Sequence, residues 1–121
     1  MSAKCAELVA RCFQARTDAH IAHLTTTSYA AHKALNDFYD GIVPLADGFA
    51  EAAQGRYGIL KYPAICPKSG DREKPVSIPQ ELRAWIDANR DSATTDSELQ
   101  NVIDEIVHLC DSTIYKLRFL N

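Results

Sequence analysis

The sequence contains no run of Lys or Arg longer than two residues, and its net charge of −3 is spread along the chain. A surface that tracks a phosphate backbone needs clustered cations, so nucleic acid is not an expected partner. No stretch approaches the ~18 consecutive apolar residues of a membrane-spanning helix, so no membrane partner is expected. The opening MSAKCAELVARC breaks its apolar positions with charge and lacks the core of a signal peptide, which gives the expectation of a cytoplasmic protein. Cys5, Cys12, Cys66 and Cys110 are scattered without CxxC spacing. In a reducing compartment they read as small buried hydrophobes rather than disulfides or a metal knuckle. GxSxG, P-loop and GxGxxG motifs are absent, as are repeats and low-complexity segments, so nucleophilic and nucleotide-dependent chemistry have no sequence support.

What remains is the composition of an ordinary globular chain, 46% apolar and 24% charged over 121 residues, which is the size of one domain spanning 1–121. Its apolar residues recur with helical period. Cys5, Leu8, Val9, Cys12, Phe13, Ala19 and Leu24 form a stripe that predicts a first helix over residues 3 to about 26, with Ser2 as its cap and with His20 and His23 inside the stripe. A Thr-Thr-Thr-Ser run at 25–28 stops it and offers Thr27 or Ser28 as the next cap.

Ala31, Leu35, Phe38, Ile42, Leu45, Ala46, Phe49 and Ala53 predict a second helix from Tyr29 to about Gln54, closed by Gly55. Pro44 argues for a kink in it. Residues 57–77, with three prolines, read as an irregular crossover. A short helix of about eleven residues follows from Pro79 to Asn89, with Leu82, Trp85 and Ile86 inward. After the capping segment DSATTD, Leu99, Val102, Ile103, Ile106, Cys110, Ile114 and Leu117 predict a last helix from Asp96 to about Phe119. The expected class is all-α, a helical bundle.

Three of the four histidines, His20, His23 and His32, lie within thirteen residues, and Asp47 and Glu51 follow four apart on the second helix. At 100° per residue His32, Asn36, Asp47 and Glu51 fall within a sector of roughly 100°, on the border of the apolar face. His20 occupies a similar border on the first helix. Imidazole with carboxylate suits iron, zinc or manganese rather than calcium or magnesium. Asn36 and Asp47 are about 16 Å apart along a helix, however, so one chain cannot gather the set around one ion. A twofold dimer with antiparallel second helices would lay the histidine end of one copy beside the acids of the other, creating two equivalent sites.

The order His20, His32, Asn36, Asp47, Glu51, with intervals of twelve, four, eleven and four, resembles the ferroxidase signature of the Dps mini-ferritins, and short phage-encoded relatives of that family are similar in the SYAAHKALNDFYD and EAAQGRYG stretches. The resemblance covers about residues 5–56. It implies a ferritin-like four-helix bundle with two long helices, a shortened third helix and a long C-terminal one. It further implies a homodimer or larger homo-oligomer that binds iron between subunits and oxidises Fe(II) in protection against oxidative stress. Under it, Asp47 and Glu51 bind and bridge iron, His20 ligates from the other subunit, and His32 holds a second iron or its water. Asn36 stands where the family has Asp, which weakens the second position because an amide carries no charge.

The rival reading is a structural or interaction protein, in a phage particle or an infected cell, on the same bundle with a degenerate metal site. A zinc-stabilised dimer without redox activity is a third. His23 is expected in a supporting or dimer-contact role. His108 is expected in solvent, Arg56 paired with a carboxylate across a dimer, and Tyr29, Tyr39 and Tyr57 as core or interface aromatics with a polar tip.

Overall fold

The computed structural model describes residues 2–120, and four helices account for most of them: α1 (Ser2–Thr25), α2 (Tyr29–Tyr57), α3 (Ser77–Ala93) and α4 (Ser97–Phe119). Helix α1 packs against α2 and α3, and α4 packs against the same two, so the helices stand at the corners of a four-helix bundle. Lys4 Nζ donates to Asn89 Oδ1 (2.6 Å) and Cys5 Sγ to the Ala93 carbonyl, so the start of α1 meets the end of α3. Arg56 at the end of α2 meets Asp96 at the start of α4. The chain therefore runs up, down, down and up, and residues 58–76 return it along the bundle between α2 and α3. One long crossover of this kind is the connectivity of ferritin-like bundles.

The core is built from the stripes read in the sequence. Phe38 and Phe49 are its largest fully buried side chains, and Cys5, Cys12, Ala15, Ala19 and Ala22 give α1 a narrow inner face on which α2 can approach closely. Ser28 caps α2, its Oγ accepting from the Ala31 N–H (3.2 Å). Cys5, Cys12 and Cys110 are buried free thiols, and Cys66 is half-buried and also free.

Several boundaries differ from the expectation. Helix α2 does not end at Gly55 but continues to Tyr57, and Gly58 supplies the turn at φ 93°, with its N–H on the Gln54 carbonyl (2.9 Å). Pro44 lies inside the one helix α2 on its exposed side, with Asp40, whose carbonyl loses its helical donor, also exposed. Helix α3 has seventeen residues rather than eleven, because its last turn is polar outside but is anchored by buried Ala93. Phe13 and Leu24, read as core, are 40% and 69% exposed. Ser2 begins the helix rather than preceding it.

The crossover is fastened to α1 by a carboxylate that hydropathy does not reveal. Asp18 is completely buried. One oxygen accepts the Ser69 N–H (2.7 Å) and Gln14 Nε2 (3.2 Å), and the other accepts Arg72 Nε (2.9 Å) and Nη2 (2.8 Å). Ser69 Oγ then donates to the Ile78 carbonyl (2.8 Å), joining this knot to α3. Between them, Gly70 at φ 75° makes a turn in which any Cβ would strike Ser77.

At the opposite end, Arg56 forks onto both Asp96 oxygens (2.9 and 3.0 Å), and the Tyr57 hydroxyl donates to the same carboxylate. Arg56 thus finds its acid within its own chain, not across a dimer as expected. The Asp96 carboxylate is spent on this clamp and makes no cap bond to α4.

Two outcomes follow. Asp18→Ala leaves the Ser69 N–H without an acceptor while Arg72 retreats to solvent, and we expect a loss of about 3 kcal/mol with an unchanged urea slope. A loss below about 1 kcal/mol would remove Asp18 as the anchor. The Tyr57 hydroxyl bond, followed by that of Arg56, holds Asp96 below the usual carboxylate range. A depressed folded value stabilises above the ordinary 3.8 and is lost as pH falls through the folded value. The melting-temperature gap between wild type and Asp96→Asn should therefore be constant near neutrality and shrink below pH 3.8. A gap independent of pH down to complete acid unfolding contradicts the clamp.

Candidate functional site

Where α1 ends and α2 begins, the three-residue turn folds the histidines onto one another. The His23 and His32 rings stack at 3.7 Å between centroids, 17° from parallel. His23 Nδ1 lies 2.7 Å from the His32 carbonyl and His32 Nδ1 lies 2.8 Å from the His23 carbonyl. A carbonyl can only accept, so both Nδ1 atoms carry the proton, and in each neutral ring the lone pair resides on Nε2. A backbone carbonyl holding one nitrogen is also the usual arrangement behind a histidine that ligates metal through the other.

His20 joins this group from one turn earlier on α1, stacked on Tyr39 (4.2 Å between centroids). Tyr39 meets His23 edge-on at 5.3 Å. The Tyr39 hydroxyl donates to Asn36 Oδ1 (2.8 Å), and Asn36 Nδ2 donates to Asp40 Oδ2 (3.0 Å). The Asn36 amide is thereby held by neighbours on its own helix. Of the predicted residues, the structure brings His20, His32 and Asn36 into one cluster, with His23 buried among them and Tyr39 as the link.

Asp47 and Glu51 are exposed on the same side of α2, and His32 to Asp47 spans about 22 Å of helix. Neither acid has an ion-pair partner among the described residues. Asp47 lies on the wall of a cavity of about 550 Å³ bounded by α1, α2 and the crossover, with Phe13, Ala50 and Pro63 among its apolar lining. Among the described residues, no three His, Cys, Asp or Glu side chains of the single chain converge in a way that could hold a metal ion.

The thiols do not compete for this role. Burial pushes Cys12 well up and Cys110 up to about 12, so both remain protonated and inert as soft ligands. His108 is exposed on α4, as expected. Tyr39, expected as a core or interface aromatic with a polar tip, packs against the core and turns its hydroxyl to Asn36, but its stacking on His20 was not read from the sequence. Nor was the stacked partner of His23.

The tautomers are directly testable. Long-range proton–nitrogen correlation of the imidazoles above neutral pH should show protonated Nδ1 for His23 and His32, and His32→Ala, which keeps the carbonyl of residue 32, should leave the His23 proton on Nδ1. A protonated Nε2 on either ring in the native protein contradicts the reciprocal bonds.

No curated protein and no solved structure matches the chain. One family model does, over residues 23–117, a span that begins at His23 and contains His32, Asn36, Asp47 and Glu51 but not His20 or Asp18. The chain belongs to that family, DUF5856, described as a family of unknown function.

Proposed function

We propose that the protein is a Dps-like metalloprotein that binds a first-row transition metal at sites shared between two copies. Iron is the foremost candidate, with zinc or manganese as alternatives. The reading takes the metal as Fe(II) substrate, oxidised by oxygen or peroxide in the cytoplasm of a bacterial cell or infected host, which limits hydroxyl-radical chemistry. The observation that carries it is the His32 imidazole, half-buried, with Nδ1 committed to a backbone carbonyl and Nε2 left with its lone pair.

His20 and His32 would donate from one copy. Asp47 and Glu51, unpaired and exposed, would donate from the other, and hard carboxylate oxygens favour the ferric product over the ferrous substrate. Asn36 can offer only an uncharged oxygen, which makes one of the two metal positions the weaker.

A second reading rests on the same amide. With Asn36 tied to Tyr39 and Asp40, and no complete ligand group among the described residues, the bundle also suits an interaction protein, in a phage particle or an infected cell, whose metal site has decayed.

Metal analysis and Fe(II) oxidation of the same preparation separate the two. Asp47→Ala and Glu51→Ala should each weaken metal binding at least ~10-fold and return Fe(II) oxidation to the uncatalysed rate, with helicity unchanged. Wild-type protein that retains no metal on titration and leaves the oxidation rate untouched supports the interaction protein instead.

A further inference from the structure

The cavity beside Asp47 is separate from the histidine cluster and has a chemistry of its own. Phe13 lines it from α1, Asp47 and Ala50 from α2, and Tyr62 and Pro63 from the crossover. Its volume of about 550 Å³ is that of a small-molecule site. The crossover wall is fastened at two places: the Tyr62 hydroxyl donates to Gln54 Oε1 (2.7 Å), and the Ser69 N–H donates to the buried Asp18 (2.7 Å). The cavity is therefore formed before any ligand arrives.

Its polar groups select for charge of one sign. Asp47 is the single charged side chain in the lining, which contains no Lys or Arg. Asp47 has no ion-pair partner among the described residues; Arg11 on α1 is taken by Glu7 (2.9 Å), and Arg16 appears in no ion pair there. Burial pushes the Cys66 thiol up, so it adds no second anion near neutral pH. Gln14 turns its amide nitrogen to Asp18 (3.2 Å) and Tyr62 gives its hydroxyl proton to Gln54, which leaves both with acceptor oxygens. Phe13 and Tyr62 are 40% and 44% exposed, and an aromatic face attracts a cation. An anion is repelled here, and a neutral ligand leaves the carboxylate unused.

We propose that this cavity binds a small organic monocation, a primary ammonium on an aryl or branched alkyl body, with its nitrogen on Asp47 and its body against Phe13, Tyr62 and Pro63. One carboxylate calls for one positive charge. The inference is independent of the metal reading, with which it shares Asp47 but not Glu51, since Glu51 does not line the cavity.

Amide-shift titration of the chelator-treated full chain with phenethylammonium chloride tests it. Binding should saturate with a dissociation constant of about 1 mM or tighter, with shifts centred on Ala10, Ala50 and Ala64. Phenethyl alcohol and phenylacetate, close in shape but neutral and anionic, should bind at least about tenfold more weakly. Asp47→Asn should weaken the amine about tenfold or more and Phe13→Ala about threefold. Both positions are exposed, so melting should not change. Glu51→Ala should leave amine affinity intact while it lowers metal uptake, so the two readings fail separately.

An alcohol that binds as tightly as the amine, or an amine indifferent to Asp47→Asn, overturns the proposal. So does an amine that shifts no cavity amide at about ten times the expected dissociation constant. Spermidine that binds more tightly than phenethylammonium and loses that advantage in Glu51→Ala overturns the monocation and assigns a polyamine instead.

Discussion

The buried Asp18 carboxylate is the constraint on which the arrangement of the chain depends. A bundle in which α2 and α3 run the same way needs a connection that travels the length of the molecule, and nineteen residues rich in proline and poor in apolar side chains have little of their own to hold them down. A charge with 0% exposure is tolerable only when its lone pairs are satisfied, and the satisfying donors, Ser69 and Arg72, come from the crossover itself. The need to pair the ion therefore fixes the loop. Once fixed, its earlier part, Tyr62 to Cys66, becomes one wall of the cavity whose opposite wall carries Asp47.

Helices α1, α2 and α4 were legible because burial on one side of a helix leaves a period that survives in the sequence. Errors arose where something other than burial decides. Gly55 has the residue type of a helix stop, yet the helix ends where Gln54 can satisfy the Gly58 N–H by its backbone and Leu60 and Tyr62 by its side chain, three residues later. Phe13 and Leu24 sit at the border of the α1 stripe, where identity alone cannot say whether a neighbouring helix or water covers them. Asp18 was unreadable for the opposite reason: its type belongs to the surface, and only partners more than fifty residues away place it inside.

The candidate site divides along a similar line. The histidine cluster is local, since His23 and His32 are nine residues apart across a three-residue turn, and their proximity could be read from the helix boundaries. The reciprocal bonding that fixes both tautomers could not, because it depends on the two backbones being antiparallel at that point. The acids raise a different problem. Their distance from the histidines follows from helical rise alone, and one chain cannot shorten it.

That fixed distance also explains why the continuity of α2 through Pro44 matters. A break at Pro44, between Asn36 and Asp47, would uncouple the acids from the sector that holds Tyr29, Lys33 and His32. Along an unbroken helix eighteen residues return a side chain to the same direction, so Tyr29 and Asp47 share one sector, as do Lys33 and Glu51. The helix runs on through the exposed Pro44, and the proposed sharing of sites between two copies asks of it only that the histidine end and the acid end keep a common sector.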